Sequence, residues 1–378
     1  MNRRERLMRT LRGEPVDRPA VCFYEIDDYN QRPDDPDPYN IFNDPSWLPL
    51  LELARERSDR IVRQGVWFED APRDPLAELT RVERTEEGRS RVTRTTIRAG
   101  SRTLTSRSRR NADVDTVWEE EHLLKDADDL RGYLDLPVRP FGGRPDVARF
   151  LAAEKAVGDS GIVMIDTGDP ICTAAALFDM GTYTVIAMTE PGLFTALLDR
   201  IASWCLPATE AVAKALPGRL WRICGSEYAS PPYLPPSMYH DYVVRYDKSM
   251  VQSIQRYGGY ARIHSHGRLR EILDGIAQTG CDGLDPIEPP PQGDVELAYV
   301  RERYGKQMVL FANIEVSDIE NLPNEQFAAK VDTALREGTS GTGRGFVLMP
   351  SACPYGRRLS ATALANYRLM VEKAEGWR

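Results

Sequence analysis

Two histidines separated by one residue are the first candidates for chemistry in this chain. His264 and His266 lie in the segment Tyr-Ala-Arg-Ile-His-Ser-His-Gly at residues 260–267, and the whole chain contains only four histidines. Side chains two apart on a β-strand point to the same side, so a strand here would present both imidazoles together. Two neutral imidazoles form half of a typical zinc site. A pair that merely hydrogen-bonds at a loop is the simpler alternative.

Two further residues of ligand type follow short apolar runs elsewhere in the chain. Cys353 comes after the last such run, and Glu288 follows an earlier one. Thiolate, carboxylate and imidazole are the usual zinc ligands in proteins. We therefore predict one metal site formed by His264, His266, Glu288 and Cys353. The alternatives are a buried inert thiol for Cys353 and an ordinary loop carboxylate for Glu288.

Other polar residues at similar positions are predicted to complete an active site. His264, His266 and Glu227 are the predicted catalytic residues, with Glu227 acting as an acid or base. A salt bridge between Glu227 and a neighbouring arginine is the alternative. The residues predicted to bind the substrate are Tyr24, Glu25, Asp166, Tyr228 and Asn313.

The elements that would position these residues alternate between apolar runs and amphipathic segments. Eight runs predict buried strands, at about residues 20–24, 60–66, 162–165, 219–224, 260–265, 283–287, 308–312 and 346–349. Helical periodicity predicts helices at about 3–12, 47–57, 126–134, 146–156, 173–189, 192–214, 235–257, 269–278, 295–304, 324–337 and 360–373. Repeated strand–helix units predict an α/β protein with a closed (β/α)8 TIM barrel. The active site of such a barrel lies at the C-terminal ends of the strands, where the candidate residues fall. A doubly wound sheet is the alternative, but the Gly-rich phosphate loop that usually follows its first strand is missing.

Residues 79–121 have a different pattern. Thr, Arg and Val alternate there, and Gly88 and Gly100 supply turns. This pattern predicts an antiparallel β insertion with one exposed face. We expect it to pack on the barrel, so that residues 1–378 form a single domain.

The overall composition narrows the class of protein. The net charge of −8 argues against nucleic acid as the main partner. Six scattered cysteines predict reduced thiols and a cytoplasmic location, not a disulfide framework. The chain shows neither the apolar core of a signal peptide nor an apolar run of about 20 residues, so we expect no membrane segment.

Several short motifs, in this order and spacing, resemble the uroporphyrinogen decarboxylase (URO-D) superfamily over nearly the whole chain. This superfamily includes the zinc-dependent, corrinoid-linked methyltransferases. The motifs are residues 4–7 (Arg-Glu-Arg-Leu), 12–19 (Arg-Gly-Glu-Pro-Val-Asp-Arg-Pro), 168–170 (Gly-Asp-Pro), 225–228 (Gly-Ser-Glu-Tyr), 258–267 with the histidine pair, 280–283 (Gly-Cys-Asp-Gly), 304–305 (Tyr-Gly), 312–314 (Ala-Asn-Ile) and 345–353.

The resemblance implies a (β/α)8 barrel and a particular zinc site. In the methyltransferase branch, zinc is held by a His-x-Cys pair after one strand and a Cys after the last. The pair here is His264-x-His266, whereas Cys353 is retained. One imidazole thus replaces one thiolate, which puts thiol activation, as in coenzyme M methylation, in doubt. A metal with fewer thiolates stays more positive and suits an oxygen substrate such as an alcohol or ether.

The resemblance also implies a reaction and its partners. It favours a metal-dependent methyltransferase that moves a methyl group between a small substrate and a corrinoid on a separate protein. The decarboxylase branch fits less well, because the segment that would grip a tetrapyrrole carboxylate reads Phe-Tyr-Glu-Ile-Asp-Asp-Tyr at residues 23–29 and is acidic. A metal-free lyase acting on a small acid and a non-catalytic binding barrel remain the alternatives.

Overall fold

Eight parallel strands form a nearly closed barrel in the computed structural model, which describes residues 1–28 and 31–377. The strands of the chain are β1 (Ala20–Val21), β2 (Arg60–Arg63), β3 (Trp67–Glu69), β4 (Thr80–Glu87), β5 (Ser90–Ala99), β6 (Arg102–Asn111), β7 (Val117–Glu121), β8 (Arg144–Asp146), β9 (Gly161–Gly168), β10 (Leu220–Cys224), β11 (Tyr260–Ser265), β12 (Gly283–Pro286), β13 (Val309–Ile314) and β14 (Phe346–Pro350). The barrel order is β1-β14-β13-β12-β11-β10-β9-β2. At the seam between β1 and β2, the amide of Asp59 donates to the carbonyl of Val21 over 2.6 Å.

Helices follow the barrel strands and cover the outside. They are α1 (Arg3–Arg12), α2 (Leu48–Arg57), α3 (Ala127–Leu134), α4 (Ala148–Val157), α5 (Pro170–Ala175), α6 (Met180–Thr189), α7 (Pro191–Ala215), α8 (Arg245–Arg256), α9 (Leu273–Gln278), α10 (Leu297–Tyr304), α11 (Val316–Asn321), α12 (Asn324–Gly338) and α13 (Ala361–Gly376). Across the described residues, none of these helices combines the length and hydrophobicity needed to span a lipid bilayer.

The predicted TIM barrel is confirmed, with all eight predicted strands in place. The helix predicted at 173–189 is wrong as one element, because the chain forms α5 and α6 there. Asp169 and Asp179 cap these two helices by accepting hydrogen bonds from the first-turn amides, and each cap starts a new helix. The helix predicted at 235–257 is also shorter, since His240–Val244 forms a π-helical turn before α8.

The insertion forms a separate antiparallel sheet of β4, β5, β6 and β7, as the alternating pattern predicts. Its inward residues Ile97, Ala99 and Leu104 belong to the same hydrophobic cluster as the residues around the barrel. The short sheet of β3 with β8 was not predicted, because three-residue strands are too short to show an alternating pattern.

The barrel interior is apolar at its N-terminal end. Leu7 and Leu11 of α1 belong to one hydrophobic cluster with Ile162, Leu220 and Val309, which lie at the beginning of their strands. Helix α1 therefore closes this end, and the amphipathic pattern of its sequence serves that purpose.

The middle of the barrel holds two charged side chains. Arg222 on β10 and Arg262 on β11 are 4% and 2% exposed. The Nε atom of Arg262 lies 2.9 Å from Oδ1 of Asp285, which is fully buried on β12, although without the angle of a good hydrogen bond. The guanidinium of Arg262 also lies 4.7 Å from the centre of the Phe311 ring. Arg222 pairs with Asp166 over 2.7 Å, so each of the two guanidiniums faces a carboxylate, which a low-dielectric interior requires.

We predict that Arg262→Ala destabilises the protein by about 3–5 kcal/mol, because it leaves the Asp285 carboxylate buried without its guanidinium partner. Urea denaturation followed by circular dichroism measures this change in the free energy of unfolding. Arg256→Ala is the matched control, since Arg256 forms an exposed ion pair with Glu210 and should cost at most about 1 kcal/mol. Equal effects of the two substitutions would show that the barrel does not depend on the buried pair.

Candidate active site

The two histidines lie at the C-terminal end of β11, and a carboxylate holds each imidazole. His264 is paired in register with Asp285 on β12, and its Nδ1 lies 2.8 Å from Oδ2 of that residue. The Nδ1 of His266 lies 2.8 Å from Oε1 of Glu288. The two rings are nearly perpendicular, with centroids 4.6 Å apart. Since both Nδ1 atoms are bound, the Nε2 atom of His266 is left for a substrate or a metal ion, whereas that of His264 also lies 3.5 Å from the hydroxyl of Tyr24.

The charge of Glu288 controls the protonation of His266. Burial alone lowers the pKa of His266, but the hydrogen bond and the charge of Glu288 outweigh it and raise that pKa. Burial likewise raises the pKa of Glu288, and the His266 hydrogen bond reverses this and lowers it. The other Glu288 oxygen accepts the amide of Gly267 over 2.6 Å. Glu288 therefore orients His266 and favours its protonated form. Both oxygens of Glu288 are engaged in hydrogen bonds.

Tyr24 connects the histidines to a second charged pair. Its hydroxyl lies 3.5 Å from Nε2 of His264 and accepts a hydrogen bond from Arg222 over 2.6 Å. Asp166 binds the same guanidinium through two hydrogen bonds of 2.7 Å. Burial raises the pKa of Tyr24 well above its usual range, so the phenol stays protonated. Tyr24 and Asp166 were both predicted at the site, and the structure places them in one network with His264.

A cavity of about 320 Å³ lies beside this network at the barrel mouth; its lining includes Glu25, Arg63 and Cys353 but neither histidine. Arg63 on β2 forms ion pairs of 2.6 Å with both Glu25 and Asp28 on its wall. The thiol of Cys353 lies 3.8 Å from Oε2 of Glu25. The remaining wall comes from residues 31–42 and from three side chains of the insertion, namely Arg91, Arg110 and Asp115.

The predicted four-ligand metal set is only partly assembled. The histidine pair suits a metal, because a carboxylate on Nδ1 is the usual partner of a metal-binding imidazole. Burial and the charge of Glu25 raise the pKa of Cys353, which disfavours the thiolate that zinc requires. Within 1–28 and 31–377, no three His, Cys, Asp or Glu side chains are arranged to hold one metal ion. The two imidazoles are therefore suited to bind a zinc ion. The thiol of Cys353, in its position beside Glu25, is not.

Glu227 lies in the turn Ser226–Ala229 after β10, next to other buried acids. Its Oε2 atom, one Asp169 oxygen and both Asp247 oxygens are buried without a hydrogen-bond partner in the described chain. Burial raises the pKa of Asp247, and the nearby charge of Glu227 raises it further. Tyr228, predicted to bind substrate, is partly buried against the core, and its carbonyl accepts a hydrogen bond from Tyr183.

Asn313 lies apart from the other predicted substrate residues. It lines a second cavity of about 300 Å³ between β13 and α12, together with Glu315. Burial and the charge of Glu288 raise the pKa of Glu315 to about 7. Its Oε1 atom has no partner among the described residues, whereas Oε2 accepts a hydrogen bond from Ser351 over 3.2 Å.

Sequence reasoning missed the groups that neutralise and orient the site. Arg222 and Arg262 each interrupt an otherwise apolar strand, and that interruption was a signal for a buried partner. The role of Asp285 could not be predicted from the sequence, because it depends on the alignment of β12 with β11. The acidity of residues 23–29 was overstated, because Arg63 pairs with two of its carboxylates; Tyr29 at its end lies outside the described residues.

Comparisons with known proteins identify the family and the fold of this chain. The family model described as "Uroporphyrinogen decarboxylase (URO-D)" matches residues 148–377. The solved structure of a methyltransferase from Methanosarcina mazei is similar over 99% of this chain and 98% of that one, with 16% sequence identity and a TM-score of 0.61. A D-psicose 3-epimerase crystallised in the presence of D-fructose matches 59% of this chain and 75% of that one, with 10% identity and a TM-score of 0.32. No curated protein is significantly similar in sequence.

The methyltransferase likeness supports the barrel fold, and the family model covers more than half of the chain, from α4 to the end of α13. The strands that carry both histidines, their carboxylate partners and Cys353 all lie within the matched residues. The chain therefore belongs to the uroporphyrinogen decarboxylase (URO-D) family.

Proposed function

We propose that this protein is a methyltransferase that moves a methyl group between a small substrate and a corrinoid carried by a separate protein. The observation that carries the proposal is the pair of carboxylate-backed imidazoles, His264 and His266, at the mouth of a URO-D barrel. The full-length structural similarity to a Methanosarcina mazei methyltransferase supports methyl transfer. A cavity of about 320 Å³ is at the small end of ligand sites and suits a small substrate.

The protein residues would supply orientation and a proton. When a methyl group leaves an oxygen atom of a substrate, the bonding electron pair stays on that oxygen, which then needs a proton. Without a metal ion on its Nε2, His266 is suited to donate it, since Glu288 stabilises the protonated imidazole. An imidazole that ligates zinc is neutral, and the proton would then have to come from another donor. The neutral phenol of Tyr24, fixed by Arg222, can donate a hydrogen bond to the same group. Glu227, with its buried free oxygen, is the candidate for accepting a proton elsewhere in the cycle.

A zinc ion is part of this proposal through the imidazole pair. His264 and His266 would hold it, with Cys353 as the further ligand predicted from the family pattern and Glu288 behind His266. Bound there, zinc would polarise the heteroatom that carries the methyl group. Because Cys353 stands beside Glu25 in this structure, we assign no step of the reaction to the ion.

The second candidate is a lyase that decarboxylates a small acid. The family name and the arginines at the barrel mouth favour it, because Arg63 and Arg222 could hold a carboxylate. Both guanidiniums are already paired with Glu25, Asp28 or Asp166, however, and neither is free to bind one. We therefore rank the lyase below the methyltransferase. A tetrapyrrole with eight carboxylates is poorly matched to so small a cavity.

We predict that His266→Ala lowers methyl transfer by at least about a hundredfold, because it removes the imidazole that would serve either as proton donor or as metal ligand. The assay follows methylation of cob(I)alamin by its visible spectrum, with small methyl ethers as methyl donors. His240→Ala is the matched control, since His240 is exposed and its Nδ1 lies 3.2 Å from Oδ1 of the adjacent Asp241. Urea denaturation checks that both variants fold. Unchanged activity of His266→Ala would make the histidine pair structural and would favour the lyase.

We predict that wild-type protein, purified without chelator or histidine tag, contains about one zinc ion per chain. Both His264→Ala and His266→Ala should lower this content, because each removes one imidazole ligand. His266→Cys, which restores the His-x-Cys pattern, should keep it. Elemental analysis by mass spectrometry measures the metal. Full activity of metal-free wild type would disprove zinc dependence and leave the acid–base role of His266 standing.

A further inference from the structure

A further cavity lies at the opposite end of the barrel from the candidate active site. Its volume is about 390 Å³. Three segments surround it: residues 14–19 before β1, residues 338–345 before β14, and Trp377 after α13. These segments precede the barrel strands or follow the last helix, so the cavity belongs to the N-terminal face, to which neither the family nor the proposed reaction assigns a ligand.

Arg301 on α10 is the unusual side chain in the wall of this cavity. It is 7% exposed, yet no carboxylate in the described chain forms an ion pair with it. Its Nε donates to the carbonyl of Ser340 over 2.9 Å, and its Nη1 donates to the carbonyl of Arg344. Burial lowers the pKa of Arg301, and no opposite charge offsets that effect. A guanidinium has five N–H donors, so three remain for a ligand.

The acidic residues of the same wall cannot neutralise Arg301, because other arginines already bind them. Asp17 accepts two hydrogen bonds from Arg6, of 2.8 and 2.9 Å. Glu14 forms an ion pair of 3.5 Å with Arg12. The positive charge of Arg301 is therefore left without a counter-ion among the described residues.

The glycine-rich loop at residues 338–345 lies directly against this guanidinium. A Cβ atom at Gly343 would come within 3.1 Å of Cζ of Arg301 and 2.6 Å of the carbonyl oxygen of Gly305, so only glycine fits. Gly343 is the exposed loop residue that lines the cavity, and its backbone amide has no backbone acceptor in the described structure. An exposed amide beside a guanidinium is suited to an oxyanion.

We propose that this cavity binds a small phosphate-bearing ligand, recognised by Arg301 and the backbone amide of Gly343 in the adjoining glycine-rich loop. Arginine matches the oxygens of a phosphate group with two parallel hydrogen bonds. An anion there supplies the charge that Arg301 lacks. The cavity is larger than a phosphate ion, and Phe346 and Trp377 on its wall offer apolar surface to an organic group on the ligand.

The test compares thermal unfolding in inorganic phosphate and in chloride at equal pH and ionic strength. Phosphate should raise the unfolding temperature of the wild type, because a ligand that binds only the folded state stabilises it. Glycerol phosphate should do so at lower concentration if the organic group adds contacts. Arg301→Gln should weaken phosphate binding at least about tenfold, because a charge-assisted hydrogen bond is lost. Arg303→Gln, an exposed change on the same helix, should leave it unchanged.

A second measurement does not depend on the folding of the Arg301 variant. The fluorescence of Trp377 should change with phosphate and saturate, and Trp377→Phe should remove that change. No phosphate effect on the wild type, or an equal effect in Arg301→Gln, would overturn the proposal. A phosphate effect with no Trp377 signal would place the anion elsewhere and would overturn it as well.

Discussion

The barrel depends on the matching of charges that its own strands bury. Arg222 and Arg262 lie where the interior excludes water, and an unpaired charge there would cost several kcal/mol. Asp166 and Asp285 supply the opposite charges from the neighbouring strands β9 and β12. These pairs hold the C-terminal halves of four adjacent strands in a defined relation, and the candidate active site stands on those halves.

One of these carboxylates also serves the site directly. Asp285 lies 2.9 Å from Arg262 through one oxygen and 2.8 Å from the Nδ1 of His264 through the other. The buried Arg262 guanidinium and the His264 imidazole are therefore held by the same carboxylate. Because Arg262 and His264 hold the pKa of Asp285 down to about 2 despite its burial, that carboxylate keeps its charge across the physiological range. The imidazole above it is thus held in one orientation by an interaction that also stabilises the fold.

The charged side chains at the two ends of the barrel are paired differently. At the C-terminal mouth, acids and arginines are paired around a cavity, so the net field there is weaker than the acidic sequence suggests. At the N-terminal end, helix α1 seals the interior with leucine side chains, and Arg301, which has no carboxylate partner among the described residues, lies outside that seal. The arrangement at the C-terminal mouth suits chemistry on a small polar substrate. At the N-terminal end, the counter-ion of Arg301 would have to be an anion from solution.

The sequence by itself determined the eight barrel strands, the antiparallel insertion and the end of the barrel on which the polar residues gather. Periodicity and chain order are local properties, and they survive in the sequence because burial acts on each element separately. The sequence also placed the histidine pair, since residues 264 and 266 share one side of a strand.

Only the tertiary structure determined which side chains contact the predicted site residues. The alignment of β11 with β12 brings Asp285 to His264, the turn after β12 makes Glu288 an orienting group, and Asn313 opens into a different cavity. Cys353 faces Glu25 because the closing loop after β14 crosses the mouth next to β1. These contacts join residues far apart in the chain, and their geometry follows from the closure of the barrel, which no local pattern encodes.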